Sequence, residues 1–347
     1  MNFYNNTHQH YCGIDLHARS LYVCILDTHG ATVLHKEIKS NPEQLLELIS
    51  PYLDDLVIGV ECMHCWYWVS DFCEDHGIKF ILGHALYMKA IHGGKAKNDR
   101  IDSYKIATLM RGGNFPVAYV YPKHMRATRD LLRRRTGIVR HGADLKAHVV
   151  NTTSQYNLPP NNVNLKNVSA RESLKHTFKD EVAQRNIDLD MALLECYHRE
   201  LSKVEWFIEK QAKQHEPAYL AVLRTVPGIG QILGLTILYE IGNINRFDTV
   251  QHFASYCRLV KCKAESAGKT YGTQGNKIGN AHLKWAFSEA AVLYLRGNSK
   301  GQKYLQKLQR RMNKAKALSA LAHKLGRAVY FMLRNKTVFD EQRFLPS

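Results

Sequence analysis

The spacing of apolar residues changes character once along this chain of 347 residues, at about Pro122. Ahead of that point, short β-branched and aromatic runs alternate with helical periodicity. Residues 11–16, 20–27 and 31–37 read as three strands, with Thr28-His-Gly30 supplying a turn between the second and third. Residues 42–53 read as a helix with Leu45, Leu46, Ile49 and Leu53 on one face. The apolar run 56–60 reads as a buried parallel strand. A helix over 66–76 ended by Gly77, a strand over 78–82, a helix over 101–110 ended by Gly112-Gly113 and a last strand over 117–121 complete the pattern. A meander followed by alternating helix and strand predicts an α/β sheet.

Past Pro122 the signal is helical. Residues 123 to about 155 read as one long helix. Arg126, Arg129, Arg133 and Arg140 recur along it at three, four and seven, a basic stripe on one face. Residues 187–215 read as a second helix with Leu189, Leu193, Tyr197, Leu201 and Val204 on one side. The two fit a coiled hairpin or dimerisation arm, and equally a plain helical linker. From Pro217 a helix, the turn Val226-Pro-Gly-Ile-Gly230 and a helix over 231–241 follow. Lys300, Lys303, Lys307, Arg310 and Lys314, with Arg311 beside them, make a second basic stripe, and Leu318, Leu321, Leu325 and Val329 an apolar helix face.

Charge separates these regions. The chain carries 48 Lys+Arg against 31 Asp+Glu, net +17. Residues 1–100 sum to −4, 101–150 to +7, 151–250 to −1 and 251–347 to +15. Such an excess points to a polyanionic partner, meaning nucleic acid, an anionic membrane surface or an acidic protein. No apolar run long enough to span a bilayer is present, and the first ten residues lack the apolar stretch of a secretory signal, so a cytoplasmic, nucleoid-associated location is expected. Eight irregularly spaced cysteines do not form a disulfide framework. Cys62-x-x-Cys65 wants a second pair for zinc, and core thiols are the favoured reading.

Four acids stand out by placement. Asp15 ends the first strand in Gly13-Ile-Asp-Leu-His17, and Glu61 follows the apolar run in Gly59-Val-Glu-Cys62. Asp99 and Asp102 open a helix, three apart and so on one face. In open α/β sheets, sites gather at the carboxyl ends of strands. Four gathered carboxylates raise one another's pKa, and two divalent cations about 3.5–4 Å apart remove that cost while polarising a phosphodiester. All-oxygen ligands favour Mg²⁺ or Mn²⁺ over zinc. Taken singly, each acid is also explained by a strand end or by a helix N-terminus.

Two further stretches bear on phosphate. Between Ser266 and Asn280, glycines at 268, 272, 275 and 279 alternate with Lys269 and Lys277, a composition that admits a phosphate backbone without matching a P-loop. On physical grounds alone Ser266 is a turn residue. Val226-Pro-Gly-Ile-Gly230 matches a helix-hairpin-helix turn, in which backbone N–H groups at Gly228 and Gly230 bind one DNA phosphate; a tight inter-helix turn is the competing reading. Arg133, Arg134 and Arg135, like the 300–314 series, suit the phosphates of DNA or RNA equally.

Together these motifs resemble the DEDD-type transposases of bacterial insertion sequences, the IS110 family that includes the Piv and MooV recombinases. Asp15, Glu61, Asp99 and Asp102 stand in its D, E, D, D positions. The C-terminal likeness runs through Val226-Pro-Gly-Ile-Gly230, Glu240-Ile-Gly242, Arg246-Phe247, Phe253-Ala-Ser-Tyr256 and Ser266-Ala-Gly-Lys269. Ala267, Glu265 and Cys62-Met-His-Cys65 depart from the usual pattern. The resemblance implies an α/β RuvC-like (RNase H-like) domain over 8–125, a basic helical arm over 126–215 and a mostly helical C-terminal transposase domain over 216–340. It also implies Mg²⁺ or Mn²⁺ on the four acids and Ser266 as a nucleophile forming a covalent phosphoserine link to DNA. The implied partners are DNA of the element's ends and target, a noncoding bridge RNA, and further copies of the chain in a dimer or tetramer, with no membrane.

Three rivals remain on the residues alone. A RuvC-like Holliday-junction resolvase would use the acids and a metal-activated water without a serine. A sugar kinase of the actin-like kind needs further Gly-rich phosphate loops. A non-catalytic nucleic-acid-binding protein would use only the basic stripes. A tyrosine recombinase fits poorly, because His323 and Arg327 have the wrong spacing.

Overall fold

The computed structural model describes residues 2–91, 98–158, 172, 174, 177–215, 217–274 and 278–345. Lys277 and Gly275 fall outside them. The chain forms two compact units, Met1–Lys123 and His124–Ser347.

The first unit is built on a five-stranded mixed sheet. After a two-residue strand β1 (Phe3–Tyr4) come β2 (His10–Leu16), β3 (Ser20–Asp27) and β4 (Thr32–Lys39), an antiparallel meander. Helix α1 (Pro42–Ile49) is capped by Asn41, whose side chain accepts from Gln44 N–H, and a 3-10 turn over Ser50–Asp55 leads into β5 (Leu56–Glu61). Then follow α2 (Tyr67–Asp75), β6 (Lys79–Gly83), α3 (Ala85–Ile91), α4 (Asp99–Arg111) and the short β7 (Phe115–Pro116), which pairs with β1. The spatial order is β4-β3-β2-β5-β6, with β5 parallel to both β2 and β6.

Alternation along the strands makes two faces. Cys12, Ile14, Leu16, Ile58 and Val60 pack with Leu45, Ile49, Val69 and Phe72 of α1 and α2. Tyr11, Val57 and Ile81 pack on the other face with Ile106, Leu109 and Met110 of α4. The strand expected over 117–121 is not formed. Pro116 and Pro122 bracket it, and it makes only one isolated bridge, Val117 with Gly83.

Among the described residues the second unit is helical apart from one hairpin. It contains α5 (Lys123–Gln155), α6 (Glu181–His215), α7 (Pro217–Arg224), α8 (Gln231–Ile241), α9 (Val250–Tyr256), β8 (Cys262–Ser266), β9 (Lys269–Gln274), α10 (Ala281–Tyr294), α11 (Ser299–Gln309), α12 (Lys314–Asn335) and α13 (Glu341–Phe344). Helix α8 is buried from Leu233 to Ile241, with α7 and α10 packed on it, and α12 packs in turn on α10 and α7. Met125 and Leu132 of α5 and Ile208 and Ala212 of α6 enter the same core, so the arm expected over 126–215 is continuous with the C-terminal helices. The far ends of α5 and α6 share a smaller core with Val149, Ile187 and Leu194. The inward seam of α6 differs from the one expected, since Leu189 is 56% exposed while Ile187, Asp190 and Leu194 are buried. Asp190 is tolerated in that seam because His148 Nδ1 meets its Oδ2 at 2.5 Å. Among the described residues no helix is long and apolar enough to cross a membrane.

Candidate catalytic site

A repeated pattern, glycine followed two residues later by an acid, places the first two carboxylates. Gly13 is paired with Gly59 and Ile14 with Val60 across the parallel β2–β5 pair, so Asp15 and Glu61 follow side by side at the carboxyl ends of neighbouring strands. Residues two apart share a face, so Gly13, Asp15, Gly59 and Glu61 all lie on the side covered by α4. The glycines let that helix come down onto the sheet. A Cβ at Gly13 would stand 2.2 Å from the Ser103 carbonyl oxygen and 2.4 Å from the Ala107 amide nitrogen, both backbone atoms of α4. At Gly59 it would meet the Met110 side chain.

Helix α4 brings the other two acids. Asn98 caps it, its side chain accepting from Ile101 N–H at 2.8 Å, and Asp99 and Asp102 occupy the first turn, where the helix dipole favours negative charge. Asp102 is also paired with Lys105, one turn on, at 3.2 Å.

The structure draws Asp15, Asp99 and a residue that sequence reasoning passed over, His17, into one cluster. His17 Nε2 lies 3.4 Å from Asp15 Oδ2 and 3.4 Å from Asp99 Oδ2. The signal for it was present in the strand period, because His17 is two residues beyond Asp15. One ligand atom from each of the three lies within 4.8 Å of the others. Octahedral ligands about 2.1 Å from an ion sit about 3 Å apart when adjacent, close to the two His17 separations, so these three side chains could hold a divalent cation. Burial raises the Asp15 pKa above the ordinary carboxylate value, and the negative charges of Asp99 and Asp102 raise it further, against the lowering effect of His17. Among the described residues this is the single group of three such side chains. Cys62 is exposed and Cys65 half-buried, so this pair does not supply the core thiols expected of it.

The second motif set falls in the helical unit. Gly228 (φ +88°) turns the chain between α7 and α8, and a Cβ on it would lie 2.5 Å from the Tyr294 amide nitrogen, so close packing on α10 accounts for this glycine. Gly230 is exposed and caps α8 without a side chain. The Gly-rich stretch as far as Gln274 belongs to a hairpin in place of an open loop. Ser266 ends β8 opposite Lys269, with Ala267 (φ +49°) and Gly268 (φ +72°) forming a two-residue turn of type I′. Lys269 is exposed.

Most of the arginine stripe on α5 turns into the fold, and Arg140 at its far end is exposed. Arg126 is 4% exposed. Arg133 donates from Nε to Glu240 Oε1 at 2.6 Å and from Nη2 to Oε2 at 2.9 Å, and Arg129 donates to Oε2 at 3.1 Å. Arg135 is paired with Glu205 at 2.7 Å. Glu240 is itself 1% exposed and also accepts from Asn280 Nδ2 at 2.7 Å. Burial opposes its charge. The Arg133 hydrogen bond, the charges of Arg129 and Arg133 and the Asn280 bond outweigh burial and hold the carboxyl at about 2. Arg126 is buried and Arg129, Arg133 and Arg135 are engaged by carboxylates of the fold, whereas Arg134, Lys303, Lys307, Arg310 and Arg311 are exposed.

Comparison with known proteins agrees with both motif sets. A DEDD transposase model of the IS110 group matches residues 12–157, the span of all four acids, and the model "Transposase IS116/IS110/IS902 family" matches residues 220–306, the span of the turn and Ser266. The chain belongs to the IS110 family of DEDD transposases. Its similarity to individual members is distant. It is 26% identical over 122 residues to the "Insertion element IS110 uncharacterized 43.6 kDa protein" of Streptomyces coelicolor, which is 35% of this chain and 30% of that protein. It is 21% identical over 245 residues to the "Putative transposase y4qE" of Sinorhizobium fredii, 70% of this chain and 59% of the relative. The chain thus spans between 30% and 59% of the length of these curated relatives. Divalent-metal use is general among DEDD transposases, and the Asp15–His17–Asp99 group is of that chemical kind.

Proposed function

We propose that this chain is the transposase of an insertion sequence, cutting and rejoining DNA at the carboxylates of an N-terminal unit of RuvC-like (RNase H-like) type. One observation carries this reading: two in-register strands end in Asp15 and Glu61 beneath a helix that delivers Asp99 and Asp102, and Asp15 is left in excess negative charge. That excess is what a pair of Mg²⁺ or Mn²⁺ ions relieves. When bound, two such ions polarise a phosphodiester and stabilise the attacking and leaving oxygens.

The residues of the chain then divide the work. Asp15 and Glu61 would hold the cations from the sheet, and Asp99 and Asp102 from the helix. The hydroxyl of Ser266, the residue that precedes the hairpin turn, loses its proton and bonds to phosphorus as a strand oxygen leaves and takes up a proton. The serine ester retains the phosphodiester's reactivity for rejoining. Lys303, Lys307, Arg310 and Arg311 grip phosphate, and a noncoding guide RNA selects the DNA, with further copies of the chain completing the assembly.

Trapping tests the reading. Wild type incubated with element-end DNA and Mg²⁺ is expected to give a covalent protein–DNA adduct that Ser266→Ala lacks. Cleavage that survives Ser266→Ala unchanged would instead support a resolvase using water. DNA binding with no cleavage under any divalent cation would remove the catalytic reading.

A further inference from the structure

Behind the last long helix lies a cavity of about 690 Å³ that no role assigned so far uses. It exists because Lys336, with φ +53°, takes the left-handed conformation and sends the chain back along α12. The returning segment is pinned where Phe339 N–H donates to Thr225 Oγ1 at 2.9 Å and where Asp340 caps α13 through the Gln342 and Arg343 amides. The pocket is therefore preformed.

Its lining combines two chemistries. Lys324, Arg327 and Arg343 bring cationic heads, and among the described residues no ion pair engages any of them. The one acid in the lining, Asp340, is spent on backbone amides. Between these cations the surface is aromatic and apolar. Phe331 on the rim is 46% exposed, and Lys324 Nζ sits 5.5 Å from the ring centre of the buried Phe344. Cavities of about 300–1,000 Å³ suit ligands the size of one nucleotide. Flat aromatic platforms between phosphate-gripping cations are how proteins hold unpaired bases.

We propose that this pocket receives an unpaired nucleotide of a nucleic-acid strand, its base on Phe331 and its flanking phosphates on Arg327 and Arg343. A second copy of this chain is disfavoured as the occupant, because residues 251–347 carry +15 and like charge would meet like. The inference rests on the nucleic-acid reading above and on none of its chemistry.

The test uses the full-length protein and three short labelled probes: single-stranded RNA, single-stranded DNA of the same sequence, and the DNA duplex. Phe331→Ala is expected to weaken single-strand binding about tenfold, with duplex binding changed by less than about twofold. Arg327→Gln is expected to lower the salt slope of single-strand binding by about 0.7. Loss with both single strands assigns the pocket to bases whatever the sugar, and loss with RNA alone assigns it to an RNA partner. The proposal is overturned if both variants, with melting curves like wild type, bind every probe as wild type does. It is overturned equally if Phe331→Ala changes only the mass measured by light scattering, which would make the pocket a self-association surface. Wild type binding none of the probes would also overturn the proposed function, so the two failures are separable.

Discussion

Asp15 and Glu240 are carboxylates withdrawn from water in the same chain, and their surroundings are opposite. Asp15 shares its neighbourhood with Asp99 and Asp102, has a single imidazole for company, and its pKa is raised first by burial and then by those charges. Glu240 receives two guanidinium groups and an amide, and overcomes a deeper burial to reach about 2. On the proposed function, the difference separates an acid that completes its own fold from one whose charge is left for a cation to answer. Buried charge that is fully answered within the chain is structural, whereas charge left over is available for chemistry.

The sharpest way to break this comparison is to neutralise each acid in turn. Asp15→Asn and Asp102→Asn are expected to lower strand exchange by about a thousandfold or more, roughly 4 kcal/mol of barrier, with DNA binding retained. Quantitative strand-exchange and gel-shift measurements on the same preparations check this, and retained exchange would remove Asp15 from the chemistry. Glu240→Gln leaves Arg129 and Arg133 uncompensated inside the fold and is expected to cost about 3–5 kcal/mol in denaturant unfolding. Its pH signature follows from the lowered pKa. The stability that ionised Glu240 contributes is present above the unfolded carboxylate value and fades as pH falls from about 4.5 towards about 2. Wild type should therefore lose stability across that window and Glu240→Gln should show a flatter profile there.

Smaller effects sharpen the same contrast. Saturating Mg²⁺ at a hundred times its Kd is expected to stabilise wild type by about 2.7 kcal/mol and to leave Asp15→Asn nearly unaffected, as thermal melts would record. Gly13→Ala would drive a methyl into the α4 backbone and is expected to cost about 1–3 kcal/mol and weaken cation binding. Gly59→Ala meets only the mobile end of Met110 and should cost less. The smallest expected effect runs the other way. Because the raised pKa of Asp15 means its charged form is disfavoured in the folded state, cation-free Asp15→Asn should melt slightly higher than wild type. A lower melting point would show that Asp15 is held as Glu240 is.

What the sequence disclosed and what it hid have physical reasons. The places of the four acids on the fold were legible because each sits at the end of an element whose periodicity is plain, but among the described residues only Asp15 and Asp99 are gathered into one group, with His17. His17 escaped because attention to carboxylates passed over the residue sharing Asp15's face. The α5 stripe was legible as a stripe, but its direction was not, since the partner that turns Arg129 inward lies 111 residues away. The α6 seam was misjudged because a polar pair, His148 with Asp190, occupies a place where an apolar residue was expected. Around Ser266 the glycines suggested a loop. A hairpin turn of this type favours Asn-Gly or Asp-Gly, and Ala267 in the first position hides it.

The contact at Gly13 has a mechanical consequence. The gap between the acids of the sheet and those of the helix is set there by backbone resting on backbone, with no side chain interposed. Its width is therefore a matter of atomic radii alone. Drift in the volume of surrounding apolar residues such as Ile106 or Leu109 can alter how firmly the helix is held, but it has little leverage on how far Asp99 stands from Asp15. The opening between Asp15 and Asp99 is gauged by the one dimension of a polypeptide that substitution elsewhere does not change.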